Sequence, residues 1–224
     1  MKAAVLPILA AALIAAPAAA IDFNPAGVRF QAKVASIKEL RFRGTLRQQY
    51  DFSCGSAALA TLLTHHYGKP VSERFVFERM FLAGDQQKIR REGFSLLDMK
   101  KFLKSMGYQA DGFEQPLHKL AQAGVPAIVL ITTNGYQHFV VIKGLADGRV
   151  LIGDPAMGTL AVPLHRFEQM WTSRLLFVIH GAKVKPAFNT PSDWRAAPRV
   201  PLGEGLDRRG LDLITIPKLG PGDF

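Results

Sequence analysis

Cys54 is the only cysteine in this 224-residue chain. It stands where a polar turn, Gln48-Gln49-Tyr50-Asp51-Phe52-Ser53, meets an apolar run rich in Ala and Leu. Ala and Leu favour helix, and Asp51 and Ser53 are both N-cap types, so the sequence predicts a helix opening at or just before Cys54. A thiol in a helix's first turn lies among N–H groups without intrahelical partners, at the positive end of the dipole. Both favour thiolate over thiol. The expectation is an accessible cysteine of lowered pKa, acting as a nucleophile; the plainer alternative is a small buried hydrophobe.

Such a nucleophile needs a base within hydrogen-bond reach and a third group to orient that base. The histidines are His65, His66, His118, His138, His165 and His180. His138 opens an apolar strand, and Asp154 ends the next one. With Ala146-Asp147-Gly148 as a three-residue hairpin loop, residue 145 pairs with 149 and residue 154 faces residue 140. Asp154 then shares a face with His138, as a diagonal neighbour ~7–8 Å away. A two-residue turn at Asp147-Gly148 would put Asp154 on the wrong face. Acyl transfer also needs donors for the oxyanion. The Cys54 N–H is one, and the side-chain amide of Gln48 or Gln49 is available as the second.

The elements that must hold these residues follow in order. Residues 21–47 carry β-type runs such as 28–34, read as N-terminal strands. The Cys54 helix should end at Tyr67-Gly68-Lys69-Pro70. His65 and His66 lie in its last turn, where adjacent side chains diverge and a shared metal is not expected; cations near a helix C-terminus are the ordinary explanation. Helices are expected over 72–81, 95–104 and 117–122, with a basic loop at Lys88-Ile89-Arg90-Arg91. From 127 the pattern turns to strands: 127–131, 138–144, 149–153, 160–162 and 175–179, with a short helix over 164–171. Helices first and an antiparallel sheet second make an α+β domain.

Residues 1–20 read as a signal peptide: Lys2, an apolar run over 3–16, then Pro17-Ala18-Ala19-Ala20. The run is shorter than the ~20 residues a membrane span needs, and no integral membrane segment is expected in the mature chain. Export to the periplasm is the expectation. A lone thiol is a liability in an oxidising compartment, which supports a use for Cys54. The net charge of +10 would suggest nucleic acid for a cytosolic protein. For an exported one it points to anionic surfaces or acidic substrates, and no nucleic-acid partner is expected. Residues 182–224, with several Pro and Gly, read as an extended tail in which 211–216 adds an edge strand.

Gln48 placed six before Cys54, then Cys54-Gly55 opening a helix, resembles the bacteriocin-processing (double-glycine leader) cysteine peptidases, which have a papain-like fold. The resemblance continues through Gly93-Phe94-Ser95-Leu96-Leu97, His138-Phe139-Val140-Val141 and Asp154-Pro155-Ala156-Met157-Gly158, to Phe167 and Trp171. It implies a peptidase domain over 48–181 in which Cys54 is nucleophile, His138 base, Asp154 its orienter and Gln48 the oxyanion donor; Gln49 has no such match. Ser53 stands where many members carry Asp. Many members are also fused to an ABC transporter, and this chain shows neither membrane helices nor an ATPase. The run Arg47 to Gly55 is similar to the stand-alone exported peptidase-like proteins of functional-amyloid (Fap) fibre systems.

The function expected is therefore an exported cysteine peptidase cleaving a secreted protein, such as an amyloid subunit or its leader, in support of fibre secretion or assembly. Its implied partners are a protein or peptide substrate, amyloid subunits and outer-membrane secretion components, with no cofactor or metal. Two other readings stand beside it: a non-hydrolytic binding or chaperone module of a secretion system, and a cysteine acyltransferase using the same triad. Retention of all four catalytic residue types favours the peptidase, since binding alone needs no thiol.

Overall fold

The computed structural model describes residues 21–23, 30–32, 35–133 and 135–198. The signal peptide expected over 1–20 and the edge strand expected over 211–216 lie outside the described residues. In the first unit, Ile21–Phe23 (β1) pairs antiparallel with Phe30–Ala32 (β2). The rest of the expected strand region is not all extended: Ile37–Phe42 forms a helix, α1.

The second unit is built around Cys54–Thr61 (α2), every residue of which is buried. A helix of Ala, Ser, Gly and Leu has no charged face to give to water, so it becomes the centre of the core. Gly55 lets the segment around Phe94 and Met99 approach it closely: a Cβ there would sit 2.9 Å from Met99 Cε and 3.1 Å from Phe94 Cβ. The last turn widens to a π-helix over Leu62–His66, closed at Gly68 in the left-handed region. Glu73–Ala83 (α3) is capped by Ser72, whose Oγ accepts from the Phe75 N–H. Leu96–Ser105 (α5) carries a full capping box between Ser95 and Asp98. The basic stretch 88–91 is helical rather than a loop, within Gln86–Glu92 (α4). Its one apolar residue, Ile89, is buried, and Arg90 lies over the Phe81 ring at 5.2 Å.

Six strands form one antiparallel sheet in the order β3-β8-β4-β5-β6-β7. They are Gln109–Glu114 (β3), Ala127–Thr133 (β4), Tyr136–Ala146 (β5), Arg149–Asp154 (β6), Gly158–Pro163 (β7) and Leu175–His180 (β8). Two further helices, Leu117–Ala123 (α6) and Leu164–Met170 (α7), complete this part of the chain. β3 is absent from the sequence expectation because Gln, Asp, Gly and Glu in its six residues hide its period; it pairs with β8 along its whole length. Alternation along β5 splits the core in two. Phe139 and Val141 join the helices around Cys54, while Val140 and Ile142 join Leu117, Leu120, Phe167 and Trp171 under α6 and α7. Pro191–Trp194 (α8) follows the sheet inside the region expected to be an extended tail.

Candidate active site

Cys54 is the first residue of α2, as its sequence context demands, but Ser53 does not cap the helix with its side chain. Its Oγ instead donates to the Tyr50 carbonyl (2.9 Å) and accepts from the Tyr50 N–H (3.1 Å), closing the preceding turn on itself. The Ser53 side chain therefore takes none of the first-turn N–H groups. Cys54 is 9% exposed, so the expected accessibility is not found. Nor is a lowered pKa: burial pushes the thiol up, and the Asp154 charge adds to this. The N–H groups of Phe139, Gly55 and Cys54 itself pull the other way without overcoming it. The helix-start effect is real, but desolvation of a buried anion outweighs it.

The Phe139 main chain thus reaches the sulfur, and the residue beside Phe139 is His138. Its ring is held on two sides. Tyr136 meets it edge-on at 5.6 Å between centroids, and the Tyr136 hydroxyl donates to the Asp51 carbonyl (3.1 Å), tying β5 to the turn before Cys54. Nε2 of His138 lies 3.1 Å from Oδ2 of Asp154, with the two side chains 13% and 4% exposed. The contact is close but not aligned as a hydrogen bond, since Nε2 has no partner of hydrogen-bond geometry. With Nε2 turned to the carboxylate, Nδ1 is the nitrogen left for a thiol proton.

Asp154 is itself fixed. Its Oδ1 accepts from the N–H groups of Ala156 (2.8 Å) and Met157 (3.1 Å), leaving Oδ2 for the histidine. Burial pushes this carboxyl up, but His138 and the two N–H groups outweigh it and hold its pKa below the ordinary value. Gln48 sits in the turn before Cys54, where its Nε2 donates to the Tyr50 carbonyl (3.2 Å). A side-chain amide has two such hydrogens, so one remains for another acceptor. Gln49 is exposed.

His65 and His66 are not the solvated cations expected at a helix end. Burial lowers both pKa values, that of His66 to about 4. Among the described residues, no group of three His, Cys, Asp or Glu is placed to hold a metal ion. Tyr136 was not singled out from sequence, although its place two residues before His138 on one strand face is the signal that finds it.

A family model, that of the peptidase C39 family, matches residues 44–183, well over half of the chain. The chain belongs to the peptidase C39 family. It is a cysteine peptidase of papain-like fold. Two curated relatives are named probable functional amyloid protease FapD. That of Pseudomonas aeruginosa is 39% identical over 181 residues, covering 80% of each chain. That of Pseudomonas fluorescens is 39% identical over 162 residues, covering 72% of this chain and 71% of its own. A solved double-glycine motif protease from an AMS/PCAT transporter, in complex with its leader peptide, is 26% identical with a TM-score of 0.50. It aligns with 65% of this chain and 96% of its own. No helix among the described residues of this C39 peptidase is long and apolar enough to cross a membrane.

Proposed function

We propose that Cys54, His138 and Asp154 are the nucleophile, base and orienting carboxylate of this peptidase. In this reading it cleaves an exported protein in the periplasm, a functional-amyloid subunit or its leader, in support of fibre secretion or assembly. The observation that carries the catalytic part is Asp154, pinned by two main-chain N–H groups with its free oxygen 3.1 Å from His138 Nε2. That carboxylate favours the Nε2–H tautomer and so leaves Nδ1 as an acceptor. The substrate side rests on the two FapD relatives and on the leader peptide bound to the transporter protease.

The chemistry follows from the resting state. Because burial raises the thiol's pKa, Cys54 waits as a thiol and gives its proton to His138 as attack begins. Sulfur bonds to the scissile carbonyl carbon, and the oxyanion is received by the Cys54 N–H and the uncommitted Gln48 amide hydrogen. The imidazolium then protonates the leaving amine, and water hydrolyses the thioester with His138 again as base.

The test compares exported proteins by mass spectrometry in wild-type, Cys54→Ala and deletion cells. Cys54→Ala should fold and abolish one processing event that wild-type cells perform, giving a product extended on the uncleaved side. Normal processing in Cys54→Ala beside a defect in the deletion would overturn the proposal. A product mass showing an amine adduct in place of hydrolysis would reassign the chemistry to acyl transfer.

A further inference from the structure

The β5–β6 hairpin reaches its register by an unexpected route. The turn is Asp147-Gly148, both at positive φ (53° and 68°), and Ala146, Leu145 and Gly144 pair with Arg149, Val150 and Leu151. Continued unbroken, this register would bring Asp154 opposite residue 141, whose side chain enters the Cys54 core; the carboxylate would turn away from His138. The pairing instead slips at Lys143, so that Ile142 meets Ile152 and Val141 meets Gly153. Continued from there, Asp154 stands opposite Val140, on the His138 face. One extra residue in β5 decides which side of the sheet the carboxylate occupies.

We infer that Lys143 is a positioning residue of the peptidase: its bulge, latched by Asn189 and Asp193, sets the register that holds Asp154 against His138. The inference rests on the Cys54-His138-Asp154 reading above. Its first support is the main chain. A bulged residue loses a ladder partner, and here the Lys143 carbonyl accepts from the Asn189 N–H (2.8 Å), while Asn189 Nδ2 donates to the Leu145 carbonyl (2.9 Å). The second is the side chain, which is fully buried. Its Nζ donates to the Gly44 carbonyl (2.7 Å), Asp193 Oδ1 (2.5 Å) and Thr159 Oγ1 (3.3 Å), matching three donors with three acceptors.

The third support is the space around it. A Cβ on Gly44 would sit 2.7 Å from Lys143 Nζ, one on Gly153 3.1 Å from Lys143 Cδ, and one on Gly144 2.5 Å from Asn189 Oδ1. Gly44 and Gly153 approach the lysine itself, and Gly144 approaches the Asn189 that latches its main chain. The other titratable groups that feel its charge are His65 and His66 on the π-turn, both neutral by burial, so Asp193 is the anion that answers it. A buried ammonium without that anion would be strongly disfavoured, and moving the bulge along β5 would strand it. Asn189 and Asp193 lie beyond residues 44–183 matched by the family model.

The test uses Cys54 as its own reporter, because a single thiol makes alkylation unambiguous. Iodoacetamide labelling of the full chain is followed by intact mass from pH 6 to 10, beside circular dichroism and melting. Asp154→Ala removes a charge that pushes the thiol's pKa up, so it should speed labelling at pH 7 about tenfold, as loss of one charge partner moves a coupled group by about one pKa unit. Asp193→Asn and Lys143→Met, while folded, should shift toward the Asp154→Ala profile, and Asp193→Glu should return toward wild type. Folded Asp193→Asn with a wild-type profile, beside a shifted Asp154→Ala, would overturn the positioning role and leave the triad standing. A wild-type profile in Asp154→Ala would instead sink the triad reading itself. Should Lys143→Met not fold, Asp193→Asn decides, since it keeps the side chain's size and its contact with the Thr190 hydroxyl (2.8 Å).

Discussion

Gln48 donates its main-chain N–H to the carbonyl of Pro155 across 3.1 Å. The residue proposed to receive the oxyanion is thus tied by backbone to the residue after the proposed orienting carboxylate. The tie does not depend on the glutamine side chain, and this separates its positional role from its chemical one.

Gln48→Ala should therefore keep the turn and lose only the amide. Removal of one oxyanion donor lowers turnover by about 10²–10³-fold, and that is the expected loss, with KM little changed. Gln49→Ala, at an exposed position, should leave both constants near wild type. Kinetics of the two variants on the substrate found by proteomics check this; the reverse result would move the role to Gln49.

Asp154→Asn probes the tautomer. Asparagine can still accept from the Ala156 and Met157 N–H groups through Oδ1, so the loop should survive. Its NH₂ would then face His138 Nε2, where a donor is best met by an acceptor. The ring would carry its proton on Nδ1 and could no longer receive one from Cys54. Turnover should fall by about 10²–10⁴-fold, the range supplied by general acid–base catalysis, with the melting temperature nearly kept. Unchanged turnover would show that Asp154 does not set the tautomer.

Much of this site was legible in the sequence, and the part that was not has one cause. Cys54 could be placed at a helix start because a polar turn abuts an Ala-Leu run, and His138 at a strand start because an apolar run follows it. The meeting of His138 with Asp154 was reached through a three-residue loop that does not exist. The loop has two residues, and Lys143 adds back the one it lacks. A lysine inside an apolar strand gives no local sign of a bulge, because what holds it there is Asp193, fifty residues on. The thiol's pKa is not legible for a related reason. Helix position is local and readable, whereas burial depends on distant segments that pack around the sulfur.

Acid stability offers a separate check. His66 is buried and held near pKa 4, against 6.5 for a free ring; its Nδ1 lies 2.6 Å from the Ala187 carbonyl and must donate to it. The unfolded chain binds the proton first, so stability falls as pH drops from about 6.5 toward 4, by up to about 3 kcal/mol. Asp154, with a lowered pKa, acts in the same direction only at lower pH, as its carboxylate becomes protonated. His66→Asn keeps a donor near Nδ1 and removes the titration. Urea unfolding at pH 7, 6, 5 and 4 should show a shallower decline in this variant, and equal slopes would exonerate His66.

The resting state of Cys54 is the last point that experiment can reach directly. Two effects oppose each other at the sulfur: N–H groups at the helix start favour the anion, and desolvation disfavours it. At 9% exposure desolvation is the larger, and the Asp154 charge pushes the same way. Purified enzyme without substrate should therefore be alkylated at pH 7 more slowly than free cysteine, whose pKa is ~8.5. Its rate should continue to climb above the pH at which free cysteine levels off. Burial alone would slow the reagent equally at every pH, so the midpoint of the profile, rather than the absolute rate, distinguishes a raised pKa from poor access. In the proposed triad His138 is the group that takes the thiol's proton, so His138→Ala should move the midpoint further up. A midpoint below that of free cysteine would show instead that the helix start and His138 together overcome burial, and that the enzyme waits as a preformed ion pair.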